Sequence, residues 1–133
     1  MISFIIPGEP KGKARPRFGQ GRTYTPPETV EYEKLVKRCY LESGGKINLS
    51  ERPIKIQIYA YFGVPKSWSN KKKTAAVHDE IYPTKKPDCD NIVKIICDAL
   101  NLVAYKDDSQ IVECTCIKRY GTQGGVSVVI DEL

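Results

Sequence analysis

The chain is 133 residues long, 41% hydrophobic and 28% charged, an ordinary globular composition that excludes a fibre or a wholly disordered chain. No apolar run approaches the ~20 residues of a membrane-crossing helix, and Met1 to Pro7 lacks the basic leader and length of a secretory signal, so the expectation is one cytoplasmic domain over residues 1–133 with no membrane partner. Lys and Arg outnumber Asp and Glu by 21 to 16, a net charge of +5. The excess is local. Lys11, Lys13, Arg15, Arg17 and Arg22 face only Glu9 before Thr25; Lys66, Lys71, Lys72, Lys73, Lys85 and Lys86 face only Asp79 and Glu80. Such patches suit a polyanionic partner, although a plain solvated surface reads the same way.

In chain order, residues 2–6 form a short apolar run ended by Pro7, a first strand. Gly8 to Tyr24 has glycine, proline and basic residues without periodicity and reads as loop. Thr25-Pro26-Pro27-Glu28 reads as a helix start, with Thr25 as N-cap, Pro26 in the first helical position and Glu28 closing a capping box. Val30, Leu35, Val36 and Cys39 keep helical spacing until Gly44-Gly45 stops the helix. Ile54, Ile56, Ile58, Ala60 and Phe62 alternate with Lys55, Gln57, Tyr59 and Tyr61, a strand with one strongly apolar face. Ser67 to Pro87 reads either as a short helix capped by Ser69 or as an exposed basic loop. Asp88 to Leu100 is a clear helix with Ile92, Ile95, Ile96, Ala99 and Leu100 inward. Gln110 to Tyr120 and Val126 to Asp131 are strands about a glycine-rich turn. The order β-α-β-(α)-α-β-β implies an α+β fold, a mixed or antiparallel sheet packed against two main helices.

The five cysteines (Cys39, Cys89, Cys97, Cys114, Cys116) contain no Cys-x-x-Cys pair, and His78 is the single histidine. The paired ligand spacing of a zinc site is missing, and all five read as small buried hydrophobes of a reducing compartment. Phe18, inside the basic loop, is weighed between a wedge for opened base steps and a ring tucked onto the core; the second is the expectation. Trp68 reads as packing and His78 as a surface residue. Tyr59 and Tyr61, on the polar face of their strand, read as sheet-surface aromatics or as contacts to DNA or a second copy.

The residues that carry chemistry lie between Lys85 and Gln110. Asp88 and Asp90 flank Cys89 where loop becomes helix, a place where residues two apart can converge on one ion because the first is not yet helical. Asp107-Asp108 ends a segment returning from the far end of that helix; Asp108 joins the other two only if the connection doubles back. A few aspartates suffice for Mg²⁺, which keeps several waters and takes substrate phosphate as a further ligand. Lys94, one turn after Asp90, can hold that carboxylate or offset charge building on a phosphate. The bland alternative is that Asp88 and Asp90 cap the helix, Asp90 and Lys94 form a surface pair, and Asp107-Asp108 makes a turn.

Lys86-Pro87-Asp88-Cys89-Asp90-Asn91-Ile92-Val93-Lys94-Ile95-Ile96-Cys97-Asp98-Ala99-Leu100-Asn101, followed by Tyr105-Lys106-Asp107-Asp108-Ser109-Gln110-Ile111, resembles the RusA family of Holliday junction resolvases. The family's Asp-x-Asp-Asn-x-x-Lys-x-x-x-Asp-x-Leu block is followed at this distance by an aromatic residue and Asp-Asp-x-Gln. Pro7-Gly8-Glu9-Pro10-Lys11-Gly12-Lys13-Ala14-Arg15-Pro16-Arg17 also resembles its basic segment, so the likeness covers most of the chain. The resemblance implies a homodimeric, Mg²⁺-dependent endonuclease making paired nicks across four-way DNA junctions. It implies Asp88, Asp90 and Asp108 as metal ligands, with Asp107 the alternative third, and Lys94 as the essential lysine. Pro87 departs from members with a basic residue there; Lys85 and Lys86 are the available substitutes. Lys11, Lys13, Arg15, Arg17, Arg22, Lys71, Lys72, Lys73, Lys85 and Lys86 are the expected DNA contacts. The competing readings are a non-catalytic nucleic-acid-binding module and a Mg²⁺-dependent nuclease without junction preference.

Overall fold

The computed structural model describes residues 1–133 and is built on a four-stranded mixed sheet. Strands β1 (Ile2–Pro7), β4 (Ile54–Gly63), β5 (Ile111–Gly121) and β6 (Gly125–Glu132) lie in the order β1-β6-β4-β5, while β2 (Arg17–Gly19) and β3 (Arg22–Tyr24) pair only with each other. β6 runs antiparallel to both β1 and β4, and β5 runs parallel to β4. A parallel pair needs a crossover, which here carries α2 (Asn70–Val77) and α3 (Cys89–Leu100); α1 (Pro27–Glu42) lies between β3 and β4.

The alternation in β4 decides which face is covered. Ile54, Ile56, Ile58, Ala60 and Phe62 are buried, and Val126, Val128 and Ile130 of β6 and Phe4 and Ile6 of β1, together with Tyr32, Val36 and Tyr40 of α1 and Ile92, Ile95, Ile96 and Leu100 of α3, complete one core. The expected inward positions of α3 are all buried. Tyr105, with no solvent exposure, closes that core beyond the end of α3 and donates its hydroxyl hydrogen to the Cys97 carbonyl oxygen at 2.6 Å. Tyr59 and Tyr61, which alternate with the core residues of β4, lie on the opposite sheet face, half-buried and exposed. No helix is long and apolar enough to cross a membrane.

Several local expectations are corrected. α1 starts one residue later than the capping-box reading: Pro26 is the N-cap, extended at φ −56° and ψ 142°, with no side-chain cap bond. The cause is Pro27, which bars the α region to the residue before it. Glu28 does not close a box onto Thr25 and instead binds Arg17. On α1 the buried positions are Thr29, Tyr32, Val36 and Tyr40, so Val36 alone of the four expected spacing residues is fully inside. Gly44, at φ 93°, does end the helix as expected, and Ser69 caps α2 by accepting from the Lys72 amide. Gly8 to Tyr24 is not all loop, since it holds the β2–β3 hairpin. Only Cys97 of the five cysteines is buried; Cys89 and Cys114 are exposed, because Cys89 opens α3 and Cys114 stands on the edge strand β5.

Candidate active site

The first turn of α3 and the segment Gly8 to Arg15 form one cleft. It has a volume of about 580 Å³ and is lined by Lys11, Lys13, Arg15, Lys86, Asp88 and Asn91, with Pro10, Gly12 and Pro87. The segment is fastened at both ends. Glu9 accepts from the Gly63 amide with both carboxylate oxygens, at 3.0 and 3.1 Å. Four residues on, the Lys13 amide donates to the Asn91 carbonyl oxygen at 3.0 Å. Between them Gly12 lies so close to α3 that a Cβ would stand 2.9 Å from Pro87 Cβ and 3.0 Å from Asn91 Cβ.

Lys13 is not the free phosphate ligand its place in a basic run suggests. Its ammonium sits 2.8 Å from Glu33 on α1 and 3.3 Å from Asp98 on α3, with its side chain only 20% exposed. Burial alone would lower its pKa, but the hydrogen bonds and charges of Glu33 and Asp98 outweigh that and raise it. Sequence reasoning missed Glu9, Glu33 and Asp98 as the partners that hold this segment, because each pairing joins residues distant along the chain. The only early sign was the aspartate in the α3 motif.

Asp88 is the N-cap of α3, yet its side chain makes no cap hydrogen bond. It and Asp90 are exposed, and neither takes part in any side-chain hydrogen bond or salt bridge of the fold. The reading in which both acids are spent on capping therefore loses its basis for Asp88. Asp90 is not paired with Lys94 either: Lys94 reaches the other way, to Asp98 at 3.6 Å. Asp98 is the better partner because Lys13 already holds it in place, whereas Asp90 projects into solvent from the first turn.

The expected convergence of three aspartates does not occur within one chain. No three His, Cys, Asp or Glu side chains come together as a metal-holding set. After α3 the chain turns at Leu102, φ 63°, and the Asp108 amide is held by the Asn101 side chain at 3.0 Å. Asn101 is the C-cap of α3 and Asp88 its N-cap; twelve helical residues separate these ends by roughly 18 Å. The connection does not double back, which was the condition for convergence. Asp107 and Asp108 also differ. Asp107 caps a one-turn helix, Asp108–Gln110, accepting from the amide and hydroxyl of Ser109 while Gln110 binds its own amide. The hydrogen bonds from Ser109 lower its pKa. Asp108 is exposed with its carboxylate unengaged.

Of the other expected DNA contacts, Lys11, Arg15 and Lys86 line the cleft. Arg17 is paired with Glu28, and Arg22 stands on the hairpin. Lys85 lies over the rings of Phe62 and Tyr120. Lys71, Lys72 and Lys73 sit on α2, outside the cleft; Lys72 covers the ring of Trp68, which packs edge-on against Tyr120 as its reading as a packing residue expects.

A RusA endodeoxyribonuclease family model matches residues 7–131, nearly the whole chain. The chain belongs to this family. It is also 36% identical over 137 residues, covering 99% of this chain and 96% of the other, to the uncharacterised protein YqaN of Bacillus subtilis (strain 168). The family match covers both halves of the cleft, the basic segment and the first turn of α3, and carries nuclease activity as a coarse property of the chain.

The division of labour among the cleft cations is measurable. Arg15→Gln and Lys86→Gln should each flatten the slope of log K against log salt for DNA binding, by about 0.9 for every phosphate the variant no longer neutralises. Lys13→Gln should leave that slope unchanged and instead lower stability to urea by about 1–2 kcal/mol, since it leaves Glu33 and Asp98 without their shared cation.

Proposed function

We propose that the protein is a Mg²⁺-dependent endodeoxyribonuclease that resolves four-way DNA junctions, acting as a homodimer of single-domain chains that makes paired symmetric nicks. The observation that carries this reading is the unengaged Asp88 and Asp90 pair beside a cleft lined by Lys11, Arg15 and Lys86. Acids next to a phosphate-binding surface repel the substrate unless a cation intervenes. A non-catalytic binding module gains nothing from them.

The donors fit a hard divalent ion. Mg²⁺ is usually held by one or two carboxylates, with waters and substrate phosphate filling the remaining positions, and two exposed, unpaired aspartates leave that room. Such an ion supplies Lewis acidity at the phosphodiester and acidifies a water. The chain supplies the rest: Asp88 and Asp90 as ligands, Lys11, Arg15 and Lys86 to seat the flanking phosphates, and Lys94 to offset charge developing one helical turn further on. Because Lys94 leans on Asp98 rather than Asp90, it does not neutralise a ligand.

Asp107 is spent on its own turn, so Asp108 is the third carboxylate of this proposal. Within one chain it is a helix length away from Asp88. In the homodimer we assign it to the ion held by Asp88 and Asp90 of the other copy, so that each site draws on both chains.

With Mg²⁺, the protein should nick a synthetic four-way junction at symmetric positions and cut linear duplex of the same sequence far less. Equal cutting of both would leave a general nuclease. In the same assay Asp88→Asn and Asp108→Asn should each be inactive alone. Co-expressed, they should regain single nicks, because the mixed dimer contains one intact site; no recovery would contradict the shared assignment.

A further inference from the structure

The hairpin formed by β2 and β3 has a feature that the proposed chemistry does not use. Its strands pair with no other strand, and its tip is a two-residue turn in which Gln20 (φ 52°) and Gly21 (φ 76°) both take positive φ. This is the geometry whose twist suits a tight hairpin. Arg17 faces Tyr24, Phe18 faces Thr23 and Gly19 faces Arg22. Tyr24 folds over Gly19, where an added Cβ would stand 3.1 Å from its ring, so one face of the hairpin has its own cover. Phe18 is on the other face, 76% exposed and outside the hydrophobic core. The expectation that this ring tucks back is corrected: two three-residue strands with no layer beneath them offer no core to receive it.

The surroundings of the ring say what it would meet. From Arg15 to Tyr24 the chain carries Arg15, Arg17 and Arg22 and no acid; even with Arg17 countered by Glu28, a second copy of this hairpin would be repelled and a polyanion attracted. Arg15 itself lines the cleft with Asp88. Phe18 is three residue steps beyond Arg15, a reach of at most ~10 Å. At ~3.4 Å per nucleotide along a strand, this is about three base steps from a phosphate seated at that cleft. An exposed aromatic on a basic ribbon at that distance is suited to stack on a base or wedge between two. Intact duplex keeps its bases stacked on both sides, whereas the branch point of a four-way junction is where stacking is already interrupted.

We infer that Phe18 is a stacking wedge that enters the branch point within about three base steps of the phosphate to be cut, and that it makes an opened junction, rather than duplex, the preferred DNA. The inference rests on the junction-nuclease reading and adds to it the part of the chain that recognises the branch. Arg22, on the opposite edge of the hairpin, would hold a flanking phosphate while the ring is inserted.

The test uses the full-length protein in EDTA, so that binding is read without cleavage, with four-way junctions carrying 2-aminopurine beside the branch point and a matching linear duplex. Wild type should raise 2-aminopurine fluorescence on binding the junction. Phe18→Ala should lose that rise and weaken junction binding roughly ten-fold or more, with duplex binding unchanged, and Phe18→Trp should restore both. A rise that survives in Phe18→Ala, or equal weakening for junction and duplex, would overturn the wedge while leaving the nuclease reading intact. Failure of wild type to bind the junction would overturn both. Loss of the dimer in Phe18→Ala by sedimentation would also overturn the wedge, since it would make the ring a contact between protein copies.

Discussion

The candidate site depends on the way Lys13 is held. Its ammonium joins Glu33 of α1 to Asp98 of α3, and its amide fixes the same segment to Asn91 at the other side of α3's first turns. A mostly buried cation shared by two acids is costly to leave half-paired, so α1, α3 and the basic segment are constrained together. Lys11 and Arg15, on either side of Lys13, are thereby delivered to the rim beside Asp88. Asp98, already fixed, draws Lys94 toward the C-terminal end of α3 and leaves Asp90 without a cation. The unengaged pair of acids is thus a product of the same clamp that brings the basic rim to it.

Gly12 and Glu9 make that seating possible. Gly12 admits the close approach to Pro87 and Asn91 that a side chain would block. Glu9, the one acid among the first basic residues, accepts from the Gly63 amide at the end of β4 and so ties the start of the segment to the sheet. A local positive surface with two free carboxylates at its edge is electrostatically unfavourable for bare phosphate at those acids and favourable once a divalent cation bridges them.

β4 and α3 were readable from sequence because each has one unbroken apolar period, two in β4 and 3.6 in α3, and the burial of Ile54 to Phe62 and of Ile92 to Leu100 follows it residue by residue. The acids and the basic segment were readable from their motif. What the sequence hid was long-range. Lys13 looks like any member of a charge run until Glu33 and Asp98 fold against it. Asp108 looks available to Asp88 until Asn101 is seen to hold it at the far end of α3. The β2–β3 hairpin escaped notice because its signal is a single positive-φ pair, Gln20-Gly21, between strands of three residues, too short for a period to show. The start of α1 moved because Pro27 overrode the capping preference of Thr25.

The central claim is that the free carboxylate of Asp88 serves cleavage rather than folding. The most direct measurement is the Asp88→Asn variant, with junction affinity measured in EDTA and the rate of junction cleavage in Mg²⁺. Since the Asp88 side chain makes no cap bond, the variant should keep the wild-type melting temperature, bind the junction at least as tightly as wild type because phosphate repulsion falls, and fail to cut it. Wild-type cleavage by Asp88→Asn would contradict the account.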